Sequence, residues 1–223
     1  MILDVHTHNP LEPHAIASGS PEEVTGWLGE HPRGLYSVGI HPWATATLTP
    51  HALSAQLDAL ESVAAHPQVV AIGETGMDSL RGASLDVQRT VFLHHIELSE
   101  RTGKPLVLHV VRQHDAVLHI LRRLKPTQPW IWHAFRGTPA RAAEVIGASS
   151  AQFLSFGRKF NPITPPSVPS GRILLESDAP ADALPDMHQL LSALAGSLGM
   201  TSAMLAECLT DTTQRIFGKM ADN

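Results

Sequence analysis

Ile2-Leu3-Asp4-Val5-His6-Thr7-His8 opens the chain as a short apolar, β-branched run that ends in two histidines one pleat apart. Side chains alternate across a strand, so a strand over residues 2–8 projects His6 and His8 the same way. Two imidazoles side by side at a strand end are well placed to hold one metal ion. Taken alone, the pair reads equally well as two ordinary histidines near a frayed terminus. The rest of the chain decides between these readings, because further strand-like runs also end in a His, Glu or Asp.

Those runs alternate with helical patterns, which is the signature of a parallel sheet covered by helices. The strands expected after the first are a weak one at 14–18, then 36–41, 69–72, 105–111, 130–133, 152–156 and 172–176. Ser20 before Pro21 caps a first helix, and Leu53, Leu57 and Leu60 share one face of a second. The longest helix runs from about Leu85 to Arg101 and stops at Gly103, and Thr138 caps a later one. The natural closure is a (β/α)8 TIM-type barrel, one domain over residues 1–223. Parallel neighbours normally need a crossover of about a dozen residues or more. Asn9 to Pro13 is far shorter, and Gly157 to Gly171 carries Pro162, Pro165, Pro166 and Pro169, which exclude a helix. The expected fold is therefore a trimmed barrel lacking one or two outer helices.

Chemistry on such a barrel collects at the C-terminal ends of the strands. Those ends carry, in order, His6 and His8, His41, Glu74, His109, His133 and Asp178. Any one of them could be a satisfied polar group at the rim, but nearly all fall at the same end of successive strands. Four imidazoles and two carboxylates suit a pair of divalent ions with one carboxylate bridging them. Glu74, in Gly73-Glu74-Thr75-Gly76, is the candidate bridge, its flanking glycines giving room for backbone and metal to approach. Alternation puts Glu176 and Asp178 on one face, with Asp178 outermost and Glu176 pointing into the barrel or supporting a ligand. Arg81, Arg112, Arg136, Arg158 and Lys159 follow strand ends and should ring the same mouth. A cationic rim suits an anionic substrate, phosphate esters first and carboxylates second. Arg81 reads more simply as a solvated charge beside an acid, and His114 is expected to face solvent.

Composition sets outer bounds. A net charge of -5 argues against broad electrostatic wrapping of nucleic acid but allows a local basic rim. The single cysteine, Cys208, excludes an internal disulfide and fits a reducing compartment. No apolar run is long enough to span a bilayer and no leader pattern opens the chain, so a cytoplasmic location with no membrane partner is expected.

The runs Asp4-Val5-His6-Thr7-His8, Val38-Gly39-Ile40-His41-Pro42, Ala71-Ile72-Gly73-Glu74-Thr75-Gly76-Met77-Asp78, Lys104-Pro105-Leu106-Val107-Leu108-His109, His133-Ala134-Phe135-Arg136-Gly137 and Leu174-Leu175-Glu176-Ser177-Asp178-Ala179-Pro180 resemble, in this order, the TatD family of metal-dependent hydrolases within the amidohydrolase barrels. The resemblance implies that His6, His8 and Asp178 bind one metal, His109 and His133 another, and Glu74 both, with His41 contacting substrate. It also implies magnesium-dependent deoxyribonuclease activity. The chain departs from the pattern at Ser79, where an aromatic is common, at Val110-Val111-Arg112 after His109, and after Pro180, where a Tyr-Leu pair is usual. It is also shorter than typical members, with the losses at the two lean links. These departures surround the mouth and bear on substrate choice more than on metal chemistry.

The expected reaction is hydrolysis of a phosphate ester by a metal-bound hydroxide held between two divalent ions. Asp178 would orient the water and take its proton, Glu74 would bridge, and His41 with Arg112 or Arg136 would hold the anionic group of a nucleic-acid end or small phosphoester. Mg, Mn or Zn fits the ligand set, and four imidazoles lean away from Mg. The alternative reaction on the same metals is hydrolysis of a small amide, lactone or carboxylate ester. A non-catalytic metal-binding barrel is the third reading, and the complete ligand set argues against it.

Overall fold

The apolar, β-branched runs do form strands, and in the computed structural model, which describes residues 4–218, they form a single parallel sheet. In chain order these are β1 (Asp4–Thr7), β2 (Ala15–Gly19), β3 (Tyr36–Val38), β4 (Val69–Asp78), β5 (Leu106–Val111), β6 (Trp130–Trp132), β7 (Gln152–Phe156) and β8 (Ile173–Leu175). Each pairs only with its sequence neighbours, in the spatial order β1 to β8. Ile2 and Leu3, included in the expected first strand, lie outside the described residues. The helices are α1 (Pro21–Glu30), α2 (Pro50–Ala64), α3 (Leu85–Thr102), α4 (His114–Leu124), α5 (Pro139–Ala148), α6 (Met187–Leu198) and α7 (Ser202–Phe217).

The caps follow the sequence. Ser20 and Glu23 form a reciprocal capping box ahead of α1, and Thr138 accepts from the Arg141 N–H to start α5. Both lean links lack an α-helix. β1 passes to β2 through turns, and β7 passes to β8 through two single-turn 3₁₀ segments, Pro165–Ser167 and Ser170–Arg172. The result is a nearly closed, trimmed barrel. Its seam between β8 and β1 is stitched at the site end, where the Asp178 N–H donates to His6 O (3.0 Å) and the His8 N–H donates to Ala179 O (2.8 Å). The Asp4 carboxylate adds a third tie, accepting from the Ser177 N–H at 2.9 Å.

One apolar cluster fills the space between sheet and helices around Tyr36, Leu60, Phe92, Trp130 and Trp132. A second, built on Val5, Ala71, Val107, Ile131, Phe153 and Leu174, plugs the barrel interior. Two residues beyond Val107, Ile131 and Leu174 come His109, His133 and Glu176. Strand alternation therefore lays a polar layer directly above an apolar floor.

β4 runs six residues past the end expected at residue 72. Its pairing with β5 resumes after an irregularity and continues from Thr75 opposite Leu108 to Asp78 opposite Val111. Gly73 (φ 131°) and Gly76 (φ 140°) are required there by the neighbouring strand. A Cβ on Gly73 would lie 2.4 Å from Val107 O, and one on Gly76 would lie 2.2 Å from His109 O. The glycines thus admit the backbone of β5, the close backbone approach expected of them. No single helix among the described residues is long and apolar enough to cross a membrane.

Candidate metal centre

The polar layer converges on Glu74. Its Oε1 lies 2.8 Å from His109 Nδ1, 3.2 Å from His41 Nε2 and 3.7 Å from His133 Nε2, and its Oε2 lies 3.4 Å from His6 Nε2. Asp178 Oδ1 approaches from β8, 3.7 Å from His8 Nε2 and 3.9 Å from His133 Nε2. Three sets of donor atoms fall within 4.8 Å of one another: His6, His8 and Glu74; His6, His133 and Asp178; His41, Glu74 and His109. The six residues expected to bind metal and the expected substrate histidine, scattered from position 6 to position 178, therefore meet in one cage.

Most of the imidazoles are held from behind. His8 Nδ1 lies 3.2 Å from Ser18 O, His109 Nε2 lies 3.1 Å from Asp78 Oδ2, and His133 Nδ1 lies 2.9 Å from Glu176 Oε1, although off the line of a good hydrogen bond. Each outer partner is an acceptor: Ser18 O draws the His8 proton outward, and Asp78 and Glu176 stand ready to hold the outer proton of His109 and His133 when the inner nitrogen is given to an ion. His41 is different. The Trp43 backbone N–H donates to its Nδ1 at 3.1 Å, so the neutral ring carries its proton on Nε2, towards Glu74. Distance alone admits His41 as a ligand, but this tautomer makes it a hydrogen-bond donor.

Burial by itself would push the Glu74 carboxyl up, but the charge of His133 and the contacts from His109 and His41 hold it well below the usual carboxylate range. Burial would lower His133, yet the Glu176 and Glu74 carboxylates beside it carry it up to about 10. Burial would also raise Glu176, and the charge of His133 outweighs it. Asp4, by contrast, is dominated by burial and rises to about 6.

Whether the residues fit a metal can be tested on His6. Its ring is 1% exposed, and among the described residues neither nitrogen has a hydrogen-bond partner. A buried imidazole left this way is costly. An ion between His6, Glu74 and Asp178 or His8 would satisfy Nε2, the nitrogen that faces Glu74, and the mixed nitrogen and oxygen donor set suits a borderline divalent cation. The residues fit.

Several supporting residues were not legible in advance. Asp78 is buried and takes the Trp43 indole N–H (2.6 Å), the Leu80 N–H (2.8 Å) and His109 (3.1 Å). It sits four residues beyond Glu74 on β4, and the same alternation that paired His6 with His8 would have found it had that strand not been ended early. Gln88 and His95 on α3 reach the strand ends from outside. Gln88 accepts from the Asp78 N–H (2.7 Å) and donates to Asp78 O, Arg81 O and Ala83 O. His95 Nε2 accepts from the Ile40 N–H (2.9 Å), one residue before His41.

Two cavities flank the cage. One, about 180 Å³, has Arg136, Arg158 and Lys159 on its wall together with Glu176, Ser177 and Asp178. The other, about 210 Å³, lies towards β2 and β3, where His8, Ser18, Ile40, His41, Gln56 and Glu74 line it. Arg112 is exposed, adopts φ 55° and lines neither of these cavities. Arg81 is exposed too, and its guanidinium lies 4.3 Å over the Trp43 ring where an acidic partner was expected. His114, expected to face solvent, is half-buried, its ring stacked on Trp132 of β6 at 5.7 Å.

Fold and cage together define a metal-dependent hydrolase barrel. The family profile described as "TatD related DNase" matches residues 18–218, and the chain belongs to the TatD family. It is 32% identical to an "Uncharacterized metal-dependent hydrolase TatD" of Mycobacterium tuberculosis, across 96% of this chain and 93% of that one. It is 34% identical to a "3'-5' ssDNA/RNA exonuclease TatD" of Erwinia billingiae, but that match spans 62% of this chain and only 58% of the exonuclease. Among solved structures, a TatD homolog from Escherichia coli superposes with a TM-score of 0.81 at 20% identity over 97% of both chains. A TatD family hydrolase from Entamoeba histolytica does so with a TM-score of 0.79 at 12% identity, again over 97% of both.

Proposed function

We propose that this chain is a divalent-metal-dependent phosphoesterase that holds two ions around Glu74 and cleaves nucleic-acid ends or small phosphate esters. The observation that carries this reading is the set of back-tethered imidazoles that converge on one ionised carboxylate, next to a cavity walled by three cations. His6, His8 and Asp178 would hold one ion, His109 and His133 the other, and Glu74 both. When bound, such ions lower the pKa of water from about 15.7 towards about 7 and neutralise charge on an ester oxygen.

The chain's own residues supply the rest. Asp178, with its side chain 38% exposed, is the cage carboxylate that opens to the mouth, and it is the acceptor for the proton of the attacking water. His41 presents its Nε2–H to an oxygen of the substrate. Arg136, with Arg158 and Lys159 beside it, holds the phosphate, and Arg112 is a weaker candidate because it lines neither cavity. The exonuclease names among the relatives favour a nucleic-acid end as the anionic substrate.

A panel of the metal-reconstituted protein on bis-nitrophenyl phosphate and single-stranded DNA, against lactones and N-acyl compounds, tests the reading. Turnover of the phosphate esters, lost in Glu74→Gln together with metal loading, is the expected outcome. Turnover confined to lactones or amides would overturn the phosphoesterase reading, and an unchanged rate in Glu74→Gln would overturn the metal chemistry.

A further inference from the structure

Trp43 follows His41-Pro42 on the 3₁₀ segment Pro42–Ala46 and is fixed in place from several sides. Its indole N–H donates to Asp78 Oδ2 at 2.6 Å and its backbone N–H to His41 Nδ1 at 3.1 Å. The segment is tied to the loop after β4 through the Ala83 N–H and Thr45 Oγ1, 3.0 Å apart. The ring centroid lies 4.8 Å from that of His41 and 5.4 Å from that of His109, beside the cage and within one nucleotide's span of it. Orienting Asp78 requires only the indole edge. Yet the residue is 43% exposed, and among the described exposed large apolar side chains it is the one aromatic ring.

We propose that Trp43 is the platform on which the base of a terminal nucleotide stacks while the adjoining phosphate lies against the cage. The proposal rests on the phosphoester reading above and adds to it a residue that selects a nucleotide over a small ester. The Arg81 guanidinium, 4.3 Å over the ring, already marks a face open to a planar group. Arg81 is itself exposed, and an exposed cation–π contact is worth only about two- to five-fold in affinity. Base stacking on an aromatic ring is worth roughly five- to a hundred-fold, so a base displaces the guanidinium and frees it to meet the phosphate chain. Every base has a π-face, so the platform accepts any base and confers no sequence preference.

The test uses the full, metal-loaded chain and single-stranded oligonucleotides that lack the base at the 3' terminus, at the 5' terminus or at neither. KM and kcat are measured for each, and affinity is measured by fluorescence anisotropy on uncleavable phosphorothioate versions. Wild type should lose roughly five- to a hundred-fold in KM and affinity when the base is missing at one terminus. Trp43→Ala should erase that difference, whereas Trp43→Phe, which keeps a ring but loses the N–H, should retain most of it. Its change should appear in kcat, through Asp78 and His109. If the base is discriminated equally by wild type and Trp43→Ala, or if both variants weaken all substrates alike, the platform is overturned and Trp43 only orients Asp78. A wild type that cleaves none of the oligonucleotides tells against the phosphoester reading. The anisotropy then decides the platform by itself, and equal affinity with and without the base overturns it.

Discussion

At His133, a ring proton marks the place of an ion. Between Glu176 and Glu74 the imidazole is carried up to about 10, so without metal it is charged at neutral pH. A ligand must be deprotonated, so loading has to expel that proton, and metal affinity should rise about tenfold per pH unit between pH 6 and 9. Calorimetry in buffers of different ionisation enthalpy would detect about one proton released per chain from this residue; pH-independent affinity would contradict the assignment. Glu176 is the orienting partner, 2.9 Å from His133 Nδ1 and accepting the Ala134 N–H at 2.6 Å. Glu176→Gln should weaken metal binding about 10- to 100-fold in a chelator competition while the fold persists. The ligands themselves could be read from strand ends. Which nitrogen each ring offers could not, because the rings are oriented by Ser18 O, Asp78 and the Trp43 N–H, partners distant in sequence or set by loop geometry.

At the scale of elements, α3 does more than cover the sheet. Its periodic apolar face was legible, but the buried Gln88 and His95 on the same helix were not, since their partners are backbone groups, at the end of β4, in the loops after β3 and β4, and on α3 itself. His95 is fully buried, with Nδ1 2.8 Å from Val91 O, and burial takes it down to about 4. It stays neutral in the folded chain, whereas the unfolded chain takes up a proton near the ordinary value of 6.5. The unfolded state therefore binds more protons between those values, and stability is lost as pH falls from about 6.5 towards 4. The contribution is on the order of 3 kcal/mol in full. Urea midpoints at pH 7.5 and 5 should show this loss, and His95→Gln, though less stable at pH 7.5, should flatten it. Gln88→Ala strips the bonds that hold Asp78 and the β4–α3 loop and should cost about 1–3 kcal/mol. An unchanged urea midpoint for that variant would show that the fan of bonds is replaceable by water.

For the whole molecule, the trimmed barrel was written in two short facts: too few residues after His8 and too many prolines after Phe156. Its seam was not, because the bonds from Asp178 and His8 that close the chain onto β1 come from residues past the end of β8 and leave no periodic trace. The same seam brings the first and last ligands together, with His8 Nε2 3.7 Å from Asp178 Oδ1, and across the cage the rings of His6 and His133 lie 4.0 Å apart between centroids. A cage that spans the chain in this way should stabilise the fold when filled, by about 2.7 kcal/mol at free metal a hundredfold above Kd. The most direct test is a crystal structure of the metal-loaded protein with anomalous scattering recorded at the metal edge. Two peaks that share Glu74, one towards His6, His8 and Asp178 and the other towards His109 and His133, are the result expected; a cage without a peak, or ions bound elsewhere, would contradict the account.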